Sequence, residues 1–326
     1  MISFFEGASP ALYKSKTTLA ALALVCSSAG LPLAAFAEEE SCRIVRMAEP
    51  GWTDLTYTQA VASEILTGLG YETDTDTLGL PVIYQSLENR DLDIFLGYWD
   101  PAMEIYYKDY RERGTVETVK TNLEGAKFTF AVPKYVHDAG VTSIADLSKH
   151  TGKFDQKMYG MEPGSNDIML QIVADNAFGL GDWEVIESSE QGMLSQVKRA
   201  ARRENWIVFV GWAPHPMNTN LEMEYLTDGD DYYGPDFGGA TVHTQVRKGY
   251  MSECTNVARL LENLVFTVEL ESEGMGYLLD DGLSAEEAAR KSIANNPEFL
   301  DAWLENVRTA DGQPGLAAVK GYLSEN

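Results

Sequence analysis

Residues 43–78 read RIVRMAEPGWTDLTYTQAVASEILTGLGYETDTDTL, and this stretch decides the fold. RIVRMA (43–48) has the look of a strand. Residues 52–71 place apolar side chains at a spacing near 3.6 and stop at Gly70, which predicts a helix. YETDTDTL begins a second strand. Outward from there the alternation continues: a short helix in PVIYQSLENRD, a third strand in LDIFLGYW (92–99), and a helix in AMEIYYKDYRERG behind Pro101. Strands that alternate with helices predict a mainly parallel sheet with covering helices.

A strand at AKFTFAVP (126–133) stops at a proline, and the pattern restarts. It runs through helix SIADLSKH, strand KMYGME, PGSND opening helix IMLQIVADNAF, strand WEVIES, helix EQGMLSQVKRAARR and strand WIVFVGW. A loop rich in Asp, Gly and Tyr follows (227–239), then strand ATVHTQVR and a helical tail from 255. Two α/β units with crossings near 130 and 235 imply two lobes with a cleft between them, the expected place for a ligand. The acidic stretch 228–236 lacks the spaced ligands of an EF-hand loop and reads as a solvated hinge loop.

Ahead of the fold stand Lys14 and Lys16, an apolar run and the small-x-small site AFA, which read as a secretory signal over 1–37 with cleavage after Ala37. Cys26 lies inside it, in a poor lipoprotein pattern. The whole chain has 326 residues and a formal charge of −25. A nucleic-acid partner is therefore not expected, since phosphate backbones require basic patches. Beyond the signal only Cys42 and Cys254 remain. In an oxidising compartment they either pair or stand as two separate buried thiols.

Three tryptophans share one placement. Trp52 follows the first strand, Trp99 ends the third, and Trp212 ends the strand WIVFVGW, each close behind a glycine. Strand ends that give way to helices line clefts in such sheets. Trp183, Trp206 and Trp303 lack that context and read as packing residues. Converging indoles suit a cation, each face contributing about 0.5–2 kcal/mol. A quaternary ammonium suits them best, because it has no N–H to satisfy and its methyl groups pack on rings. Asp54, two residues after Trp52, either balances that charge or accepts a ligand hydroxyl, or else caps the helix. Ser165, Asn166 and Asp167 open a helix, where they either cap it or, as Ser165 and Asn166 are placed to do, reach a polar group of the ligand. His215 reads as a buried or surface structural histidine.

The stretches SCRIVRMAEPGWTD, DLDIFLGYWDPAME, NLEGAKFTFAVP, YGMEPGSND, VIESSEQGMLSQV, VFVGWAPHPMN and FGGATVHTQVRKGY, in this order, resemble the periplasmic substrate-binding proteins of ABC importers for choline and glycine betaine, the choline binders most of all. The resemblance implies a two-lobed type II periplasmic binding protein fold with two hinge crossings, residues 38–130 and 236–326 forming lobe 1 and 131–235 lobe 2. It implies an aromatic box of Trp52, Trp99, Phe128 and Trp212, with Asp54 on the choline hydroxyl, and a Cys42–Cys254 disulfide. Phe128 departs from the family's tyrosine in GAKYT, and Ser165 from the asparagine of EPGN, with Asn166 one residue later. Tyr98 replaces a small polar residue, and Asp100 follows Trp99.

The expected role is extracytoplasmic and non-catalytic: a monomer that closes on choline and hands it to a membrane permease, with glycine betaine, another betaine or a sulfonium compound as the alternative. The four histidines show no metal-ligand spacing. No GxSxG, phosphate loop or dinucleotide fingerprint is present, so no cofactor is expected.

Overall fold

A computed structural model of the protein describes residues 40–325. The expected signal segment, with Cys26 and the cleavage point after Ala37, lies outside them. The strands are β1 (Ile44–Glu49), β2 (Glu72–Thr77), β3 (Ile94–Asp100), β4 (Val116–Pro133), β5 (Lys157–Tyr159), β6 (Glu184–Ile186), β7 (Phe209–Ala213), β8 (Met223–Tyr225) and β9 (Gly239–Arg247). They form a nine-stranded sheet in the order β2-β1-β3-β9-β4-β7-β5-β6, with β8 paired to β4. Strands joined through covering helices are parallel: β1 with β2 and β3, and β5 with β6 and β7. The connecting strands β4 and β9 add antiparallel pairs between these two groups. This is the expected two-lobed α/β architecture.

The lobes meet along β4. Its first part pairs with β9, its second with β7, and at Lys127 it touches both, opposite Gly239 and Ala213. Sequence patterning finds only the second part, from residue 126. The earlier residues are polar, and their pairing shifts register three times, between Thr118/Lys120, Thr121/Leu123 and Leu123/Ala126. Bulges of that kind break the period-2 alternation by which a strand is read.

Helix α1 (Thr53–Gly68) is buried on nearly every side, including Thr58, Gln59 and Glu64. It is wedged between β1 and β3 on one side and three tail helices on the other: α2 (Val268–Leu279), α3 (Ala285–Asn295) and α4 (Gly315–Glu325). Two of the buried polar positions are matched across the helix packing. Tyr57 Oη and Ser292 Oγ lie 2.6 Å apart, and Arg290 donates to Glu64 at 2.7 and 3.1 Å. Gly97 of β3 lets the helix approach, since a Cβ there would stand 2.2 Å from Leu55 Cδ1.

Residues 227–239 are a correction to the solvated-loop reading. They contain the short helices Asp230–Tyr233 and Pro235–Gly238. Asp228, Asp230, Asp231 and Asp236 are exposed as expected, but Tyr233 is fully buried against Phe128 and Phe130, at centroid distances of 5.7 and 5.5 Å. Gly238, at φ +68, seats this segment on β4; a Cβ there would lie 2.0 Å from the Phe128 carbonyl oxygen. Cys42 and Cys254 form a disulfide with a Cα–Cα distance of 5.5 Å. Trp183 and Trp303 are buried and Trp206 packs at the core's edge, on Phe154. No described helix is long and apolar enough to cross a membrane.

Candidate functional site

Three chain segments that leave strands carry the aromatic residues. Trp52 is the N-cap residue of α1, just beyond β1. Trp99 is the penultimate residue of β3, and Phe128 lies in β4 where that strand passes from β9 to β7. Trp99 and Phe128 have ring centroids 6.4 Å apart. Together with Tyr106, Tyr233 and three methionines, Met103, Met161 and Met169, they line a cavity of about 30 Å³. Ser165 and Asn166 are also in its wall. Neither lysine nor arginine lines it among the described residues. The space suits one compact, apolar-skinned group rather than an extended chain.

Trp212 and Asp54 stand beside this cavity rather than in its wall. Phe128 and Trp212 are directly opposed in the β4–β7 ladder, so both side chains project from one face of the sheet. Val210, two residues before Trp212 and therefore on that face, does line the cavity. The Trp212 ring is buried and meets the His215 ring edge-on at 4.8 Å. Asp54 is not the cap of α1 but its second residue, and is 3% exposed.

The electrostatics around the cage are uniformly acidic. Trp52 Nε1 donates to Glu162 Oε1 at 2.7 Å, and Ser165 Oγ donates to the same oxygen at 2.6 Å. A carboxylate on the indole N–H pushes electron density toward the ring face that a cation would meet. Burial, and next the nearby Glu190 carboxylate, push Asp54 up to about 7; the Trp99 indole N–H and the backbone N–H groups of Asp54 and Leu55 act against that rise. Still, Asp54 Oδ1 and Trp99 Nε1 have no partner of ordinary hydrogen-bond geometry, and neither has Tyr233 Oη. Buried polar groups are rarely left so, and these three border the cage.

Asn166 is fully engaged. Its Oδ1 accepts from the Met161 N–H at 2.7 Å, and its Nδ2 donates to Met161 O, Glu162 O and Glu187 Oε1 at 2.8, 3.0 and 2.9 Å. It braces the turn ahead of helix Asp167–Ala174 and has no donor left over. His215 takes the buried one of its two expected placements, with Nε2 3.2 Å from Glu190 Oε1.

Sequence reasoning missed Tyr106, Tyr233, Glu162 and Glu190. Tyr233 was hidden by its acidic surroundings. Tyr106 sits in a polar helix, and the two glutamates gain their roles only from partners more than a hundred residues away. The short aromatic run YY inside an acidic loop was the one usable signal.

Residues 44–295 match the family model described as the substrate-binding domain of an ABC-type glycine betaine transport system. Among solved structures, an ABC-transporter choline-binding protein in complex with choline is 50% identical, with a TM-score of 0.87 over 88% of this chain and 100% of that one. The unliganded semi-closed form of an ABC-transporter choline-binding protein, also 50% identical, superposes with a TM-score of 0.80 over 87% of this chain and 99% of that one. The glycine betaine/carnitine transport binding protein GbuC of Listeria monocytogenes is 32% identical over 170 residues, 51% of this chain and 55% of its own.

Proposed function

The chain belongs to the family of substrate-binding domains of ABC-type glycine betaine transport systems, and from that premise we propose that it captures choline between its lobes and delivers it to an importer's permease. The observation that carries this reading is the cavity wall itself. Trp52, Trp99 and Phe128 come from one side and Met161, Met169 and Tyr233 from the other, with acids beside them and, among the described residues, no lysine or arginine in the wall. A trimethylammonium group packs its methyls on such rings, and each ring adds about 0.5–2 kcal/mol. Trp212, on the cavity-facing side of β7, completes the box once a headgroup widens it. Asp54 takes the choline hydroxyl, and Ser165 and Asn166 hold the facing turn. Phe128 supplies a ring face without the hydroxyl of a tyrosine.

Glycine betaine is the second reading, favoured by the family's description. A carboxylated ligand fits less well, because Asp54 would repel it and no lysine or arginine stands in the wall to receive it. The lobes are taken as 38–130 with 236–326, and 131–235. The protein acts in the periplasm as a monomer without catalytic chemistry, after cleavage near Ala37.

Calorimetric titration of the mature protein with choline and with glycine betaine tests the assignment. Choline is expected to bind more tightly. Trp99→Ala is expected to weaken choline binding about 10- to 100-fold with an unchanged circular dichroism spectrum, as loss of one enclosed ring face and its packing implies. Parent-like titration by Trp99→Ala removes the cage, and preference for glycine betaine removes choline.

A further inference from the structure

Helix α1 begins without a cap of its own. Its N-cap residue is Trp52, whose side chain makes no cap hydrogen bond, where Ser, Thr, Asp or Asn would ordinarily satisfy a first-turn N–H. The missing acceptor comes from the other lobe. Glu190, the first residue of helix Glu190–Ala201, is 0% exposed. Its Oε2 accepts from the Thr53 N–H at 2.8 Å, and its Oε1 accepts from the Thr53 hydroxyl. Carboxylate charge at the positive end of a helix adds to these bonds.

A third donor orients this carboxylate. His215 Nδ1 accepts from the Met217 N–H at 2.8 Å, which leaves the proton on Nε2, facing Glu190 Oε1. The Thr53 N–H and the His215 Nε2–H are both obligate donors, so only a group with two acceptor oxygens satisfies them together. Other bonds cross the cleft: Trp52 to Glu162, the Asp167 N–H to Tyr106 Oη, and Asn220 to Asp280. All of these are part-buried or exposed; among these bonds of the described residues the Glu190–Thr53 contact alone is buried at both ends.

We propose that Glu190 is the closing latch of the cleft, a positioning residue that caps α1 in trans and thereby locks Trp52 and Asp54 in place around the ligand. When the lobes part, Thr53 loses its acceptor and α1 is uncapped; when they shut, the cap forms and holds them. The proposal deepens the ligand-capture reading and rests on it for the identity of the ligand alone.

The test uses the whole mature protein and Glu190→Gln, whose amide must turn its NH2 toward an obligate donor. Hydrogen exchange at the Thr53 amide is read with the cleft held shut by saturating choline. It is expected to be about 10-fold or more faster in Glu190→Gln than in the parent, the scale of one lost charge-assisted bond, and equal rates overturn the latch. With choline, stopped-flow tryptophan fluorescence is expected to show release about 10- to 100-fold faster and association within about two-fold, since a bond made only after closure acts on release. A change confined to association overturns the latch, because a merely structural defect in the second lobe would act there. If Glu190→Gln does not fold, Thr53→Val carries the test from the opposite lobe. It deletes only the hydroxyl bond and is expected to speed release about 3- to 10-fold; unchanged release overturns the proposal. A parent that ignores choline defeats the ligand assignment alone, and the same exchange measured with glycine betaine bound then decides the latch.

Discussion

Asp54 is a carboxyl placed where it is costly to ionise and useful when ionised. Burial and then Glu190 lift its pKa from 3.8 to about 7. Glu271, buried close by, is raised as well, by burial first and by Asp54 second. A carboxyl whose pKa is higher folded than unfolded binds more protons in the folded state between those two values. Its contribution to stability is therefore full below the unfolded pKa and falls as pH rises through about 7. A cationic ligand has the opposite preference, because it is drawn to the ionised form. Choline binding is expected to be several-fold tighter at about pH 8 than at about pH 5.5, and to release a proton near pH 7. Asp54→Asn should bind more weakly and with a nearly flat pH profile. Calorimetry in buffers of different ionisation heat reads both quantities; proton uptake on binding, or a parent-like slope in Asp54→Asn, would contradict the argument. At this scale the sequence shows which residues stand at strand ends, because glycine and the strand-to-helix change mark them. It cannot show that Asn166 spends its donors on Met161, Glu162 and Glu187, or that Glu162 accepts from the Trp52 indole, because those partners are chosen by tertiary geometry.

At the scale of elements, α1 carries Trp52, Thr53 and Asp54 together, so its seat decides the site. The helix rests on β3 at Gly97, where Leu55 fills the space a side chain would need. Gly97→Ala puts a methyl 2.2 Å from Leu55 Cδ1. Overpacking of this kind costs about 1–3 kcal/mol, and here the helix must lift at the end that bears the cage. We expect a lower melting temperature and choline binding weakened about 10-fold, with Leu55→Ala in the same chain restoring part of the affinity by making room. Differential scanning calorimetry and titration of the single and double variants check this; a Gly97→Ala protein with parental values for both would show that α1 is not seated there. The helix itself is legible from its period. Its burial on all sides is not, because Thr58, Gln59 and Glu64 look solvent-facing in sequence and are instead buried by the tail helices. The first part of β4 is likewise hidden by its bulges.

At the scale of the molecule, the Cys42–Cys254 bond closes a loop with a sequence separation of 212 that contains the entire second lobe. Both sulfurs are buried in the first lobe, beside a chain of ion pairs in which Asp93 joins Arg46 to Arg247, and Glu253 joins Arg247 to Arg90. The pairing was open on cysteine count alone and followed from family resemblance; what sequence could not show is the chain of ion pairs beside it. The bond and these ion pairs are expected to brace one lobe and to leave the cleft untouched. That division of labour is testable. The paired variant Cys42→Ser with Cys254→Ser is expected to lose about 2–5 kcal/mol, chiefly through the freer unfolded chain. At about 2–4 °C per kcal/mol for a protein approaching this size, the melting temperature should fall by roughly 5–15 °C. Reductant should lower the parent's melting temperature to the variant's and leave the variant unmoved. Choline affinity at 25 °C should stay within about two-fold, because the polar neighbours of the Cys42 sulfur among the described residues, Ser41 and Glu253, belong neither to the cage nor to the Glu190–Thr53 contact. An unchanged melting temperature would remove the disulfide from the stability of this lobe, and a large loss of affinity at intact stability would mean that the bond reaches the cleft after all.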